Sequence, residues 1–180
     1  PEKKTVLILG GSLGARSIND CLMNGLSLLR DSGCQFIWQT GKYYYEEVKA
    51  KVASAGDLPM VHITDFITDM PVAYQAADLV VSRAGAGSIS EFCILQKPVL
   101  LVPSPNVAEN HQMKNALALA SRQAALIVSD GEAERQLIRT AIETVNNDGL
   151  LRQLSLNVGK MALRDSADII AGEVLRLVYK

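Results

Sequence analysis

Short apolar runs alternate with helix-forming segments along this chain of 180 residues, and that alternation limits the folds the chain can adopt. The runs are continuous rather than interrupted by polar residues, as in strands that are buried on both faces of a parallel sheet. Right-handed crossovers between such strands predict an α/β fold: a doubly wound, Rossmann-like, six-stranded parallel sheet in one domain over residues 1–180. The predicted strands are 5–9, 36–39, 60–63, a run around Val80, 99–102 and 125–128. The predicted helices are 18–30, 43–54, a short one around Tyr74, one that ends at 96, and then 109–122, 132–146, 150–162 and 168–179.

Composition excludes several classes of function. Hydrophobic residues make up 48% of the chain and charged residues 21%, which is typical of an ordinary globular protein. A net charge of -1 leaves no broad basic surface for nucleic acid. The three cysteines are widely spaced without a C-x-x-C pair, so neither a disulfide framework nor a zinc site is indicated. The apolar runs are far shorter than the roughly 20 residues of a membrane span, and we expect a soluble chain.

Two glycine-rich turns each follow an apolar run and open a helix, one at 10–16 and one at 82–91. Glycine allows a tight turn and close backbone approach to a ligand. The free N–H groups and positive dipole end of a helix start favour an anion such as phosphate. Ser88 adds a hydroxyl, and Glu91, one helical turn later, brings a carboxylate within reach of sugar hydroxyls. The same S-x-x-E spacing also fits a capping box that only fixes the helix start.

The position of the turns in the sheet favours binding. Doubly wound sheets bind ligands beyond the carboxyl ends of the strands, where the strand order reverses. With the order 3-2-1-4-5-6, the two turns flank that reversal. The turns match neither a P-loop nor a nucleophile elbow, and Gln39 stands where an NAD site needs an acidic residue. The pattern therefore favours a different phosphate-bearing ligand.

Four stretches, in this order, resemble the C-terminal, donor-binding half of the MurG-type N-acetylglucosaminyltransferases, which are GT-B glycosyltransferases. They are 10–16, 65–70, 82–91 and 111–116. The chain departs from that pattern at three places. Ser88 stands where threonine is usual, Gly87 replaces a larger residue, and Gln123 stands where glycine usually ends a helix. The last change predicts an altered helix cap.

The resemblance implies an inverting enzyme of peptidoglycan biosynthesis. It would transfer N-acetylglucosamine from UDP-N-acetylglucosamine to lipid I, the membrane-bound undecaprenyl-pyrophosphoryl-MurNAc-pentapeptide, and so form lipid II. The general base and the acceptor site would lie in an N-terminal domain, so we expect no catalytic residue here, and donor binding with little turnover. The resemblance implies no metal or other cofactor, and peripheral attachment of the whole enzyme to the cytoplasmic face of the bacterial inner membrane. Because the chain starts at Pro1, we expect it to be a piece of a longer protein.

The resemblance also assigns the diphosphate and ribose contacts. The N–H groups near Ala86, Gly87 and Ser88, together with the Ser88 hydroxyl, would hold the diphosphate. Ser12 would reach the same phosphates from the first turn. Glu91 would accept hydrogen bonds from the ribose hydroxyls.

The base and the sugar would be held by two further segments. Ile67 would pair its backbone with the uracil edge, with Met70 packed nearby. Gln112, helped by His111, would bind hydroxyls of the N-acetylglucosamine, with Asn115 as a neighbour. Each assignment has a simpler alternative: Met70 as a core residue, and Gln112 and His111 as solvated helix residues.

Two other functions remain open from the sequence. A GT-B transferase with another sugar or acceptor would share the diphosphate and ribose contacts. A non-catalytic donor-binding subunit of a split sugar-nucleotide transferase would share all of the donor contacts.

Overall fold

A computed structural model describes residues 3–178 of the chain as one parallel sheet with helices on both faces. The sheet order is β3-β2-β1-β4-β5-β6, so the strand order reverses between β1 and β4. The predicted doubly wound topology and the predicted position of the reversal are confirmed. The strands are β1 (Thr5–Leu9), β2 (Gln35–Gln39), β3 (Val61–Thr64), β4 (Leu79–Ser82), β5 (Val99–Leu101) and β6 (Leu126–Ile127).

Helices connect the strands and cover the sheet. Residues 3–178 contain α1 (Arg16–Asn24), α2 (Leu26–Asp31), α3 (Tyr45–Ser54), α4 (Met70–Ala76), α5 (Ala86–Leu95), α6 (His111–Ala120), α7 (Ala133–Val145), α8 (Asp148–Gly159) and α9 (Ser166–Val178). Short 3-10 turns lie at Ala108–Asn110 and Asp130–Glu132. In this part of the chain, no helix combines the length and the apolar character needed to cross a membrane.

Side chains of one strand supply two hydrophobic cores, which explains why the strand sequences are continuously apolar. Val6 and Ile8 of β1 face the core that α1, α2 and α7 cover. Leu7 and Leu9 face the opposite core, which is covered by α4, α5 and α6. Each buried aliphatic side chain contributes about 1.5–3 kcal/mol relative to exposure, so both faces stabilise the sheet.

The helix predicted over 18–30 is two helices in the structure, separated at Gly25 (φ -109, ψ 22). A β-carbon at this position would overlap the Ile138 side chain, so glycine lets α7 pack closely against the break. Glycine also has low helix propensity, so interrupting the helix at this residue costs little free energy. The apolar spacing continues through Gly25, and for that reason periodicity does not reveal it.

Several helix ends differ from the sequence prediction. The helix predicted from residue 109 starts at His111, because Glu109 (φ 52) and Asn110 (φ 53) are left-handed. The prediction of an altered helix cap at Gln123 is wrong, because Gln123 itself adopts the left-handed conformation (φ 52). Asn157 of α8 donates a hydrogen bond to its carbonyl at 3.1 Å. The last helix starts at Ser166, two residues before its predicted start, and its predicted end at Tyr179 lies outside the described residues.

Candidate functional site

The two glycine turns lie side by side at the carboxyl edge of the sheet. β1 and β4 are parallel neighbours, with Leu9 in register with Ser82, so the chain leaves both strands at the same edge. Cavities of about 170 and 460 Å³ lie against the turns. The predicted juxtaposition is confirmed, and this is the crevice in which doubly wound folds bind ligands.

Glycine is required in the first turn by both conformation and space. Gly11 (φ 79) and Gly14 (φ 84) are left-handed, and the Gly14 N–H donates to the Gly11 carbonyl at 3.1 Å. A β-carbon on Gly14 would overlap the Thr40 carbonyl and the Tyr44 ring. One on Gly41 (φ 81) would overlap the Gly14 backbone. The first turn and the loop after β2 therefore meet backbone to backbone.

Within the described part of the chain, the N–H groups at the start of α5 in the second turn have no hydrogen-bond partner. Gly85 is the N-cap, and the first helical hydrogen bond runs from the Ile89 N–H to the Gly85 carbonyl at 3.0 Å. The N–H groups of Ala86, Gly87 and Ser88 precede that ladder, at the positive end of the helix dipole. Ser88 is therefore inside the helix, and the capping box with Glu91 does not form. The arrangement is suited to an anion.

The smaller cavity brings together predicted site residues from three separate segments. Its wall includes Gly11 of the first turn, Ile67 and Met70 of the segment after β3, and Ser88 and Glu91 of α5. Ile67 and Met70 also pack against the buried apolar cluster beneath, so the core alternative for Met70 holds as well. Leu9, Gln39, Phe66, Tyr74 and Ser82 complete the wall.

The Glu91 carboxylate is exposed and oriented by a neighbouring hydroxyl. Tyr74 Oη donates a hydrogen bond to Glu91 Oε2 at 2.8 Å. Burial, with this hydrogen bond, raises the pKa of Tyr74, which keeps the phenol protonated as a donor. Within residues 3–178 Glu91 makes no ion pair. Its carboxylate can therefore accept hydrogen bonds from a ligand.

Gln39, at the end of β2, joins the first turn to the segment at Ile67. This side chain is only 4% exposed; its Nε2 donates to the Gly11 carbonyl at 3.0 Å, and its Oε1 accepts from the Ile67 N–H at 3.2 Å. Within the described part of the chain, the Ile67 carbonyl accepts no hydrogen bond. The backbone group that Ile67 offers to a ligand is thus its carbonyl.

Side chains of α6 hold the backbone of the second turn. Gln112 Oε1 accepts hydrogen bonds from the N–H groups of Ala84 (3.3 Å) and Ser104 (2.9 Å). Asn115 Nδ2 donates to the Ala84 carbonyl at 3.1 Å. Gln112 also lines the larger cavity, beside Gly14. Since its amide oxygen is engaged, Gln112 can offer a ligand only the N–H groups of its amide.

A charged network in the wall of the larger cavity connects the two turns. Arg83 Nη1 donates to Asp130 Oδ1 at 2.5 Å, and Arg83 Nη2 donates to Ser17 Oγ at 2.9 Å. Ser17 Oγ in turn donates to the same Asp130 oxygen at 2.6 Å. The Arg83 side chain is only 17% exposed, so its charge is committed to this network. The network fixes the start of α1 against the end of β4.

The other predicted site residues lie nearby without lining either cavity. Ser12 is exposed in the first turn, and Ala86 and Gly87 are exposed at the start of α5. His111 is also exposed, and its Nδ1 lies 2.9 Å from the Ala108 carbonyl. All four are exposed at the surface.

Sequence reasoning gave no binding role to Gln39, Phe66 or Tyr74, although all three line the smaller cavity. Gln39 had a usable signal, because it ends the strand beside the point where the order reverses. Tyr74 had none, since its contact with Glu91 joins two helices.

A separate cleft of about 730 Å³ lies at the opposite, amino edge of the sheet. Three of its charges are paired with each other, since Lys4 Nζ lies 2.7 Å from Asp148 Oδ1 and 3.7 Å from Asp78 Oδ1. The hydrogen bond with Lys4 lowers the pKa of Asp148. Over residues 3–178, no three His, Cys, Asp or Glu side chains are grouped to hold a metal ion. The carboxyl edge, with its free helix N–H groups, is therefore the candidate site.

Comparison with known proteins identifies the class. The model of the glycosyltransferase family 28 C-terminal domain matches residues 5–169, and the chain belongs to that family. Two curated relatives are named UDP-N-acetylglucosamine--N-acetylmuramyl-(pentapeptide) pyrophosphoryl-undecaprenol N-acetylglucosamine transferase. The protein from Phocaeicola vulgatus is 62% identical over 100% of this chain and 48% of its own length. The protein from Bacteroides thetaiotaomicron is 61% identical over 98% of this chain and 48% of its own length.

A solved structure agrees with these relatives. The crystal structure of Acinetobacter baumannii MurG has a TM-score of 0.85 and 27% identity, over 97% of this chain and 52% of that one. The predicted resemblance to the MurG-type C-terminal half is confirmed. The chain spans about half the length of the curated relatives it matches.

Proposed function

We propose that this chain binds UDP-N-acetylglucosamine at the carboxyl edge of its sheet. In this proposal it is the donor half of an inverting transferase that converts lipid I to lipid II. The observation that carries the proposal is the smaller cavity, where the first turn, the Ile67 segment and Glu91 share one wall next to the free N–H groups of α5.

The parts of that cavity match the parts of a uridine diphosphate. The N–H groups of Ala86, Gly87 and Ser88 would hold the diphosphate at the helix dipole, with Ser12 reaching it from the first turn. Glu91 would accept hydrogen bonds from the two ribose hydroxyls.

The uracil and the sugar would lie at opposite ends of this arrangement. The Ile67 carbonyl would accept the imide N–H of uracil, a group that cytosine lacks, with Met70 packed nearby. The Gln112 amide would donate to hydroxyls of the N-acetylglucosamine, with His111 beside it.

The chemistry follows from the same contacts. In an inverting transfer, the lipid I hydroxyl would give its proton to a general base, expected outside this chain, as it attacks the anomeric carbon and the bond to UDP breaks. The negative charge that develops on the leaving diphosphate would be stabilised by the N–H groups at the start of α5. This role needs no metal ligand from the chain. The names of the relatives support lipid I as the acceptor. Because that acceptor is held in a membrane, we expect such an enzyme to work peripherally at the cytoplasmic face of the inner membrane.

Isothermal titration calorimetry of the chain tests donor binding. We expect heat on titration with UDP-N-acetylglucosamine, weaker binding of UDP-glucose, and none of NAD. Lack of heat at millimolar UDP-N-acetylglucosamine, or equal binding of NAD, would contradict the proposal. Tighter binding of another UDP-sugar would instead favour a transferase with a different donor.

Glu91→Ala tests the ribose contact. Because hydrogen bonds to a charged group are worth about 1.5–3 kcal/mol, we expect UDP to bind at least roughly tenfold more weakly. Glu143→Ala is the matched control, since Glu143 is an exposed helical glutamate on α7. Equal UDP affinity in Glu91→Ala and the control would show that the ribose assignment is wrong.

A further inference from the structure

A buried tyrosine donates a hydrogen bond to the carboxylate at the centre of the candidate site. Tyr74 lies on α4 and is 5% exposed, whereas Glu91 lies on the exposed side of α5. Their side chains meet in the wall of the smaller cavity, where Tyr74 Oη donates to Glu91 Oε2 at 2.8 Å. The hydroxyl is the only polar group of the Tyr74 side chain, and it makes this hydrogen bond.

The tyrosine hydroxyl is fixed in space by its ring. The ring packs edge to face against Phe92, with centroids 6.0 Å apart and planes at 85°. Phe92 is fully buried, and both rings belong to the apolar cluster beneath the site. Such an aromatic pair has little freedom to move, so the hydroxyl is a rigid donor.

The glutamate has no such support of its own. An exposed glutamate on a helix samples several side-chain rotamers. Binding of a ligand that needs one of these rotamers therefore costs side-chain entropy. The Tyr74 hydroxyl selects a rotamer before the ligand arrives. With Oε2 engaged on one side, Glu91 still has Oε1 and the second lone pair of Oε2 for two adjacent hydroxyls.

We propose that Tyr74 is a positioning residue that holds Glu91 ready for the 2′- and 3′-hydroxyls of the donor ribose. Tyr74 thereby contributes to the preference for a ribose over a deoxyribose diphosphate. This inference rests on the proposed function. It adds a residue that acts through Glu91 and does not itself contact the ligand.

Tyr74→Phe is the direct test, because it removes the hydroxyl and keeps the ring. Calorimetry would compare UDP with 2′-deoxy-UDP for the wild-type chain, Tyr74→Phe and the control Tyr45→Phe. We expect Tyr74→Phe to weaken UDP binding about three- to tenfold, the range for loss of one orienting hydrogen bond. Binding of 2′-deoxy-UDP should change less than about twofold, since that ligand lacks one of the two hydroxyls. The control should bind both as the wild type does.

Several outcomes overturn the inference. An equal loss of affinity for both ligands would mean that the hydroxyl serves only the fold. Unchanged affinity for both ligands would mean that Tyr74 does not act on Glu91. A double variant, Tyr74→Phe with Glu91→Ala, should bind UDP no more weakly than Glu91→Ala alone, and a further loss would also contradict the positioning role.

A measurement on the wild-type chain keeps the inference testable if Tyr74→Phe fails to fold. Three-bond NMR couplings of Glu91 in the ligand-free chain should report one χ1 rotamer, and averaged couplings would refute the preorganisation. Binding of the two diphosphates by the wild-type chain distinguishes failure of the proposed function from failure of this inference. If the wild type binds neither diphosphate, the donor site itself is wrong, whereas UDP binding without a ribose preference refutes only the Tyr74–Glu91 role.

Discussion

Two glycines of the first turn should respond very differently to the same substitution. Gly11 and Gly14 are both left-handed, so alanine at either position pays a conformational penalty of about 1–2 kcal/mol, partly offset by reduced entropy of the unfolded chain. Among the described residues, apart from its two chain neighbours, no atom lies within 4 Å of the site of a Gly11 β-carbon. We therefore expect Gly11→Ala to lower the free energy of unfolding by about 1 kcal/mol.

Gly14→Ala adds a steric cost that the structure cannot relieve easily. Its β-carbon would lie 2.7 Å from Tyr44 Cδ2 and would overlap the Thr40 carbonyl. The ring can shift, but the Thr40 carbonyl accepts a hydrogen bond from Asn19 Nδ2 at 2.9 Å. Asn19 is 1% exposed, and its Oδ1 accepts from the indole of the buried Trp38. Moving the carbonyl disturbs that buried chain, so overpacking and a strained hydrogen bond together cost about 3–5 kcal/mol.

Urea unfolding followed by circular dichroism measures both variants against the wild type. With a slope of about 2 kcal/mol per molar urea, the unfolding midpoint of Gly14→Ala should lie at least about 1 M below that of Gly11→Ala. Midpoints within about 0.3 M of each other would refute the reasoning, because the two variants share the conformational penalty and differ only in the overlap.

Three further predictions concern polar contacts of the site. Gln39→Leu leaves the Gly11 carbonyl and the Ile67 N–H without their partner, so the free energy of unfolding should fall by about 2–3 kcal/mol; a loss below about 0.5 kcal/mol in urea unfolding would contradict the contacts. Because burial raises the pKa of Tyr74, the protonated phenol contributes fully to the free energy of unfolding at pH values below its ordinary pKa of 10.0. This contribution is lost as the pH rises above 10.0, by up to about 1.4 kcal/mol per pH unit. Tyr74→Phe should lack this component, and identical alkaline unfolding profiles would exclude it. For the Arg83–Asp130 pair, a double-mutant cycle with Arg83→Met and Asp130→Asn should give a coupling of at least about 1 kcal/mol in unfolding free energy, and additive effects would show the pair to be inert.

The fold could be predicted from local sequence because both sheet faces are buried. Continuous apolar runs such as 5–9 occur where helices cover both faces, and the glycine turns mark where ligands approach. The order 3-2-1-4-5-6 was the one in which both turns would flank the reversal, and the sheet has that order. The break at Gly25 could not be predicted, because apolar periodicity reports which side of a helix is buried and is blind to a kink within it.

The site was only partly predictable for a related reason. Glycine turns and Glu91 are local patterns, and their spacing along the chain is enough to identify them. The partners of Glu91 and of the Ile67 N–H are Tyr74 and Gln39, which come from other elements of the fold. Which distant polar atom satisfies a given group depends on packing, and no local pattern records it.

The contact between Gly14 and Gly41 has a consequence for anyone exchanging parts between transferases. A β-carbon on Gly41 would overlap the Gly14 backbone, and a β-carbon on Gly14 would overlap the Thr40 carbonyl and the Tyr44 ring, although the two glycines belong to loops after different strands. A chimera that imports one loop with a bulkier residue will clash with the resident loop. The two loops therefore have to be transplanted as a pair.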